Sequence, residues 1–388
     1  MSSADSVDFF FDVSELVSTE FDIKDSFLKD SIPTFVLSKT VPLKDKYNRL
    51  RNKLKQRELE GILKKWNGDI LLQVISIKKH PAKKGLLFKW NVSLILFIAT
   101  LITVTISGYL TYVGYLRLLK ILGEYHGRPF TVPNESVYLL ELTALYVISI
   151  MGAIGLHEVG HTIACRLHHI EASLPTFIPG IPGTIPGTFG AIIMQKEPAL
   201  NRDQLFDIGL MGPLIGFIAS VIVSTLGYSL SIPVSQAEYL YVASKIGHLN
   251  TVFPSALFLL FQSYVFPAPT GFEYLLHPLA VAGWISILIT FLNVFPIGQF
   301  DGGHVARAIL GPKWHRRLSF IMTGFMIVAG WWTMAIFISF FMRADHPGTL
   351  DDVSDLSTKR KIGGILLLVI FASCFTLSSE SPLLFLQP

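Results

Sequence analysis

His157 and His161 flank Glu158 in the run HEVGH. On a helix, positions i and i+4 share a face, so both imidazoles reach one metal ion while the carboxylate between them leans toward a water on that metal. The chemistry this permits is metal-assisted hydrolysis with Glu158 as base, and zinc is the ion expected from the ligand types. Two histidines and a glutamate inside an apolar helix cost on the order of a few kcal/mol to insert, and they persist where they pair with metal, water or one another.

A catalytic zinc site needs a third protein ligand and an open position. Asp301 is the candidate, in the run NVFPIGQFDGG over residues 293–303. Pro296 and Gly298 should end the helix there, since proline lacks the backbone donor and crowds the preceding turn. A continuous helix would hold Asn293 and Asp301 about 12 Å apart; a break lets both turn toward one centre, and Gly302 and Gly303 permit close approach. His304 is a candidate hydrogen-bond partner for the ligand set. His168 and His169 are expected at the membrane interface, as are Glu141 and His277.

These residues stand in a chain of 388 residues that is 51% hydrophobic and only 15% charged, against about 25% charged in globular domains. That excludes an ordinary soluble enzyme. Apolar runs of about 20 residues, enough to cross roughly 30 Å of hydrocarbon, predict a polytopic α-helical membrane protein of about six transmembrane helices, at 92–114, 137–165, 205–230, 279–295, 320–342 and 362–377. The run 255–265 is too short to span and reads as re-entrant or interfacial. Counting from residue 137, His157 lies roughly 30 Å along its helix, so the metal is expected in the inner leaflet or at its boundary. The second, third and fourth segments alternate in direction, which brings Asp301 to the same side as His157.

Charge is uneven. Residues 1–30 hold eight acids and two lysines, and residues 39–89 hold fifteen Lys/Arg and four acids. The acidic start argues against a cleaved targeting peptide, so the amino terminus is expected to be retained. Residues 1–90 read as a small cytoplasmic α/β domain, with strands at 33–37 and 69–77 and a basic helix over 44–63, ahead of a membrane domain at 91–388. Its lysines suit a lipid surface, and nothing points to nucleic acid. Lys78, Lys79, Lys83, Lys84 and Lys89 place the amino terminus in the cytoplasm of a cell membrane. Arg307, Lys313, Arg316 and Arg317 agree; Lys359, Arg360 and Lys361 would fall outside. Cys165 and Cys374 both lie in apolar runs and read as small buried hydrophobes.

Three ordered motifs, HEVGH at 157–161, MGPLIGF at 211–217 and NVFPIGQFDGG at 293–303, resemble the site-2 protease family of intramembrane zinc metalloproteases. The stretch 187–217 is similar to the branch from archaea, cyanobacteria and chloroplasts, and the catalytic core would cover about 137–311. No loop between spans is long enough for the PDZ domain of other branches. The resemblance implies a zinc endopeptidase that cuts within or beside a transmembrane segment of another membrane protein. His157, His161 and Asp301 would hold the zinc, Glu158 would move the proton, and Asn293 would hold the substrate backbone or oxyanion.

Residues 179–190 repeat Pro-Gly three times before an apolar run at 191–195, which reads as a loop and a short strand. The resemblance suggests that this strand, through Ala191 and Ile193, pairs with an unwound substrate by β-augmentation. The rival reading is a transporter or scaffold with a bound metal. Only the fourth segment shows a broken helix, however, and no internal repeat is visible, whereas a transporter is expected to show paired breaks in repeated halves. A protease with a glutamate as third ligand finds no supporting motif in the last segments.

Overall fold

The computed structural model describes residues 3–38, 42–66, 68–77, 89–247, 254–341 and 346–376. Near the amino terminus, helix α1 (Ser3–Ser18) and strands β1 (Ile23–Lys29) and β2 (Ile32–Leu37) precede α2 (Leu43–Gln56), β3 (Leu59–Trp66) and β4 (Asp69–Ser76). The strands form one antiparallel sheet in the order β1-β2-β4-β3. Tyr47, Leu50 and Leu54 line the buried face of α2, as their helical spacing predicts, and the Tyr47 hydroxyl donates to the Gly61 carbonyl. The basic helix is shorter than expected. Glu58 takes a positive φ of 59°, and Leu59, Gly61 and Leu63 then alternate as the buried face of a strand.

The remaining helices are α3 (Trp90–Tyr125), α4 (Glu135–Leu167), α5 (Arg202–Ser229), α6 (Gln236–Ile246), α7 (Ala256–Leu260), α8 (Pro278–Val294), α9 (Asp301–Val328), α10 (Trp332–Phe341) and α11 (Thr358–Cys374). Among the described residues, α3, α4 and α5 are long and apolar enough to cross a membrane. The 255–265 run is the short helix α7 continued by a π-helical turn. Helix α5 packs against both α4 and α8, and added Cβ atoms at Gly227 and Gly283 would strike Ala280 and Ser224. The lysines at 78, 79, 83 and 84 lie outside the described residues.

The fifth apolar segment is not one span. Helix α9 kinks at Gly311 (φ 77°) before Pro312 and ends in a Schellman turn, with the amides of Gly330 and Trp331 bonded to the carbonyls of Ile327 and Met326. Gly330 has φ 85°, and α10 then turns back along α9. His346 then lies beside His304 near the start of α9. This reversal corrects the placement of Lys359–Lys361. Arg360 bonds Asp207 at 2.5 and 2.7 Å and Asp203 at 3.3 Å, while Asp203 also pairs with Lys44 of α2 at 2.5 Å. The basic cluster therefore lies at the same end of the bundle as the amino-terminal sheet. The other end of α11 reaches Trp331, whose indole donates to the Thr376 carbonyl.

Strands β5 (Thr176–Pro179) and β6 (Thr188–Ile192) form a hairpin between α4 and α5 in the chain, and β7 (Ile232–Ser235) pairs with β8 (Phe272–Leu275) at the opposite end of α5. The β5–β6 loop does not lie beneath the bundle. It climbs α3, where the Ser107 hydroxyl donates to the Thr184 carbonyl, and it leaves Ile181, Ile185 and Phe189 exposed.

Candidate metal centre

HEVGH sits in the last three turns of α4, where His157, Glu158 and His161 are buried. Their ligand atoms lie within 4.8 Å of one another. The chain leaves α8 at Val294, runs through Pro296 and Gly298 (φ 52°), and starts α9 at Asp301. This is the expected break, and it swings the carboxylate onto the histidines: Asp301 Oδ2 is 3.0 Å from His157 Nε2, and Oδ1 is 3.3 Å from His161 Nε2. The two Nε2 atoms are 3.2 Å apart.

Three lone-pair donors facing one point repel unless a cation or protons lie among them. The tetrahedral edge for zinc ligands at 2.0–2.1 Å is ~3.3 Å, so these separations fit one zinc ion held by His157, His161 and Asp301. The tautomer of His161 suits the role: its Nδ1–H donates to the Ile208 carbonyl at 2.8 Å, which frees Nε2 for metal. The buried Nδ1 of His157 has no hydrogen-bond partner among the described residues.

Helix α5 explains the middle motif. A Cβ added at Gly212 would lie 2.2 Å from His161 Nε2, and one at Gly216 would lie 2.7 Å from His157 Nδ1. Glycine at these positions is what lets α5 pack directly over both imidazoles. Pro213, between them, removes an amide donor from the helix. Gly302 is equally constrained, since a Cβ there would fall 1.9 Å from the Val294 carbonyl oxygen.

Other expected residues are placed differently. Asn293 is half-buried in the last turn of α8, and its side chain makes no hydrogen bond among the described residues. His304 bonds His346 at 2.8 Å rather than Asp301; sequence reasoning missed His346, which no motif marks. His168 pairs with Asp207 at 2.7 Å. His277 caps α8 and is buried against Tyr112 and Tyr115.

The strand expected at 191–195 is β6, Thr188–Ile192. Ala191 pairs with Phe177. Ile193 lies just past the strand, and its amide makes no backbone hydrogen bond among the described residues. Beyond it the pairing resumes at Met194 and Gln195 with Ser173 and Ala172. Among the described residues β6 has one partner strand, so its other edge is open.

Residues 145–337 match Peptidase family M50. The chain is 27% identical over 313 residues to the probable zinc metalloprotease EGY1, chloroplastic, of Arabidopsis thaliana, covering 76% of this chain and 55% of that protein. It is 30% identical over 191 residues to the probable zinc metalloprotease EGY2, chloroplastic, of Oryza sativa subsp. indica, covering 47% and 34%. It is 22% identical over 247 residues to the probable zinc metallopeptidase EGY3, chloroplastic, of Arabidopsis thaliana, covering 58% and 41%. The chain spans about half the length of the first of these relatives. No solved structure matches it. The matched region holds all three motifs and the convergence of His157, His161 and Asp301, and the chain belongs to peptidase family M50, the site-2 protease family.

Proposed function

We propose that the protein is an intramembrane zinc endopeptidase that hydrolyses a peptide bond within or next to a transmembrane segment of another membrane protein. The observation that carries this reading is the convergence of His157, His161 and Asp301 from two distant parts of the chain, with Glu158 beside them. Zinc supplies Lewis acidity, which polarises the scissile carbonyl and makes water a stronger acid. Glu158 takes the proton from the attacking water and passes it to the leaving amine. Asn293 holds the substrate backbone or the oxyanion. The open edge of β6, with Ala191 and the adjoining Ile193, pairs with an unwound stretch of substrate.

The membrane domain at 91–388 crosses with α3, α4, α5, α8 and α11, while α9 and α10 leave and return to one side, and residues 1–90 form a domain on the side where α4 ends. The basic residues gathered at that end set it toward the cytoplasm of the cell membrane. A transporter is disfavoured because the break between α8 and α9 delivers a carboxylate to an HExxH helix rather than lining a repeated pathway. The test is incubation of the purified full chain with a single-span substrate and mass mapping of the products. A cut in or beside the span toward the metal-bearing end supports the reading, and absence of any cut contradicts it.

A further inference from the structure

Between α10 and α11, residues 346–357 run between the amino-terminal sheet and the start of α5. The amide of Leu350 bonds the Ala199 carbonyl at 3.1 Å and that of Asp351 bonds Leu200 at 2.7 Å. On the other side, the Leu63 amide bonds the Leu350 carbonyl at 2.7 Å and the Asp352 amide bonds the Leu63 carbonyl at 3.2 Å. Leu63 belongs to β3, the edge of the four-stranded sheet, so residues 350–352 extend that sheet. Leu350 and Val353 are buried in the same apolar cluster as Phe35, Tyr47 and Leu72.

The same segment grips α9 at two points. Asp352 makes a two-point ion pair with Arg307, at 2.9 and 2.5 Å, and Arg307 is buried. Arg202, at the start of α5, donates to the Asp352 carbonyl. His346 Nδ1 accepts the Gly348 amide at 2.9 Å. Its Nε2 therefore carries the ring hydrogen and donates it to His304 Nδ1 at 2.8 Å. His304 is left with its own hydrogen on Nε2. A metal shared by these two rings does not fit: 2.8 Å is well below the ~3.3 Å edge of a zinc tetrahedron, and His346 Nδ1 is already an acceptor.

His304 and Arg307 follow Asp301 by one and two turns on α9, a helix that begins without a side-chain cap of its own. We propose that His346 and Asp352 are positioning residues through which the docked amino-terminal sheet sets the helix that carries Asp301. This rests on the metalloprotease reading. Both residues lie beyond the region matched to the family. A buried guanidinium cannot keep its place without its carboxylate, so withdrawing Leu350 and Val353 from the sheet's core frees Arg307 and His304 together and lets Asp301 leave the histidines.

The experiment compares the full chain in detergent with Asp352→Asn, His346→Phe and His346→Gln. Zinc affinity is read by chelator competition, kcat and KM on a single-span substrate, and amide exchange at Leu63. Asp352→Asn should weaken zinc and lower kcat by ~10- to 100-fold, leave KM nearly unchanged, and speed exchange at Leu63. His346→Phe should lower kcat by ~10-fold, and Gln, whose amide can donate to His304, should restore it. His346 lies in a half-buried loop, so its variants remain informative if Asp352→Asn does not fold. A wild-type chain that binds zinc and cleaves, with Asp352→Asn and His346→Phe indistinguishable from it, would overturn this inference alone. A wild-type chain without zinc or cleavage would overturn the functional reading and this inference with it.

Discussion

Asp301 and His157 are 144 positions apart in sequence and 3.0 Å apart in space. One helix break, at Pro296 and Gly298, produces that contact. Asp301→Ala should lower zinc occupancy and cleavage together, while Asp301→Asn should keep the fold but cleave poorly, because a neutral amide is a weaker ligand. Metal analysis of the purified variants checks this. Full zinc and full activity in Asp301→Ala would move the third ligand elsewhere.

Glu158→Ala should lower cleavage by ~100- to 10,000-fold while leaving zinc bound, since the carboxylate moves a proton and does not hold the ion. His157→Ala should lose both. Activity and metal content, measured on one preparation of each, separate the two roles. Wild-type cleavage by Glu158→Ala would remove Glu158 as the base.

Gly212→Ala tests the helix contact over the site. Its Cβ would fall 2.2 Å from His161 Nε2, and such overpacking costs about 1–3 kcal/mol. The expected outcome is weaker zinc binding with a lower melting temperature. Ala at Gly152, where nothing lies within 4 Å of the added carbon, should leave both unchanged. Equal behaviour of the two variants would show that α5 does not press on the imidazoles.

The HEVGH pair was legible because i and i+4 lie on one helix face whatever surrounds them, and the Asp301 contact because proline and glycine announce a break. The fold-back at Gly330 was not legible, since a single left-handed glycine inside an apolar run looks like any residue of a span. Reading 320–342 as one crossing then put Lys359–Lys361 on the wrong side. The end of α2 was missed because Leu59 and Leu63 fit a helical stripe as well as a strand face; pairing with β4 decides it. The partnership of His346 with His304 is purely tertiary and leaves no local pattern.

Ile193→Pro should slow cleavage with zinc unchanged. Proline deletes an amide that has no backbone partner among the described residues, and the edge beside β6 is where an unwound substrate would find backbone partners. A substrate span made only of leucine should resist cutting, because Asn, Gly or Pro near the cut lowers the cost of unwinding by about 0.5, 1 and 3 kcal/mol respectively. Rates on glycine-bearing and all-leucine spans, for wild type and Ile193→Pro, check both parts. Equal rates throughout would show that neither strand pairing nor unwinding limits cleavage.

If a zinc ion held by His157, His161 and Asp301 drives the cleavage of membrane segments, removing that ion must stop the reaction. The most direct test is zinc content and cleavage of a single-span substrate by one purified preparation before chelation, after chelation and after zinc is restored. The expected result is about one zinc ion per chain, with cleavage lost with the metal and recovered with it. Cleavage that persists in the folded, zinc-free chain would contradict it.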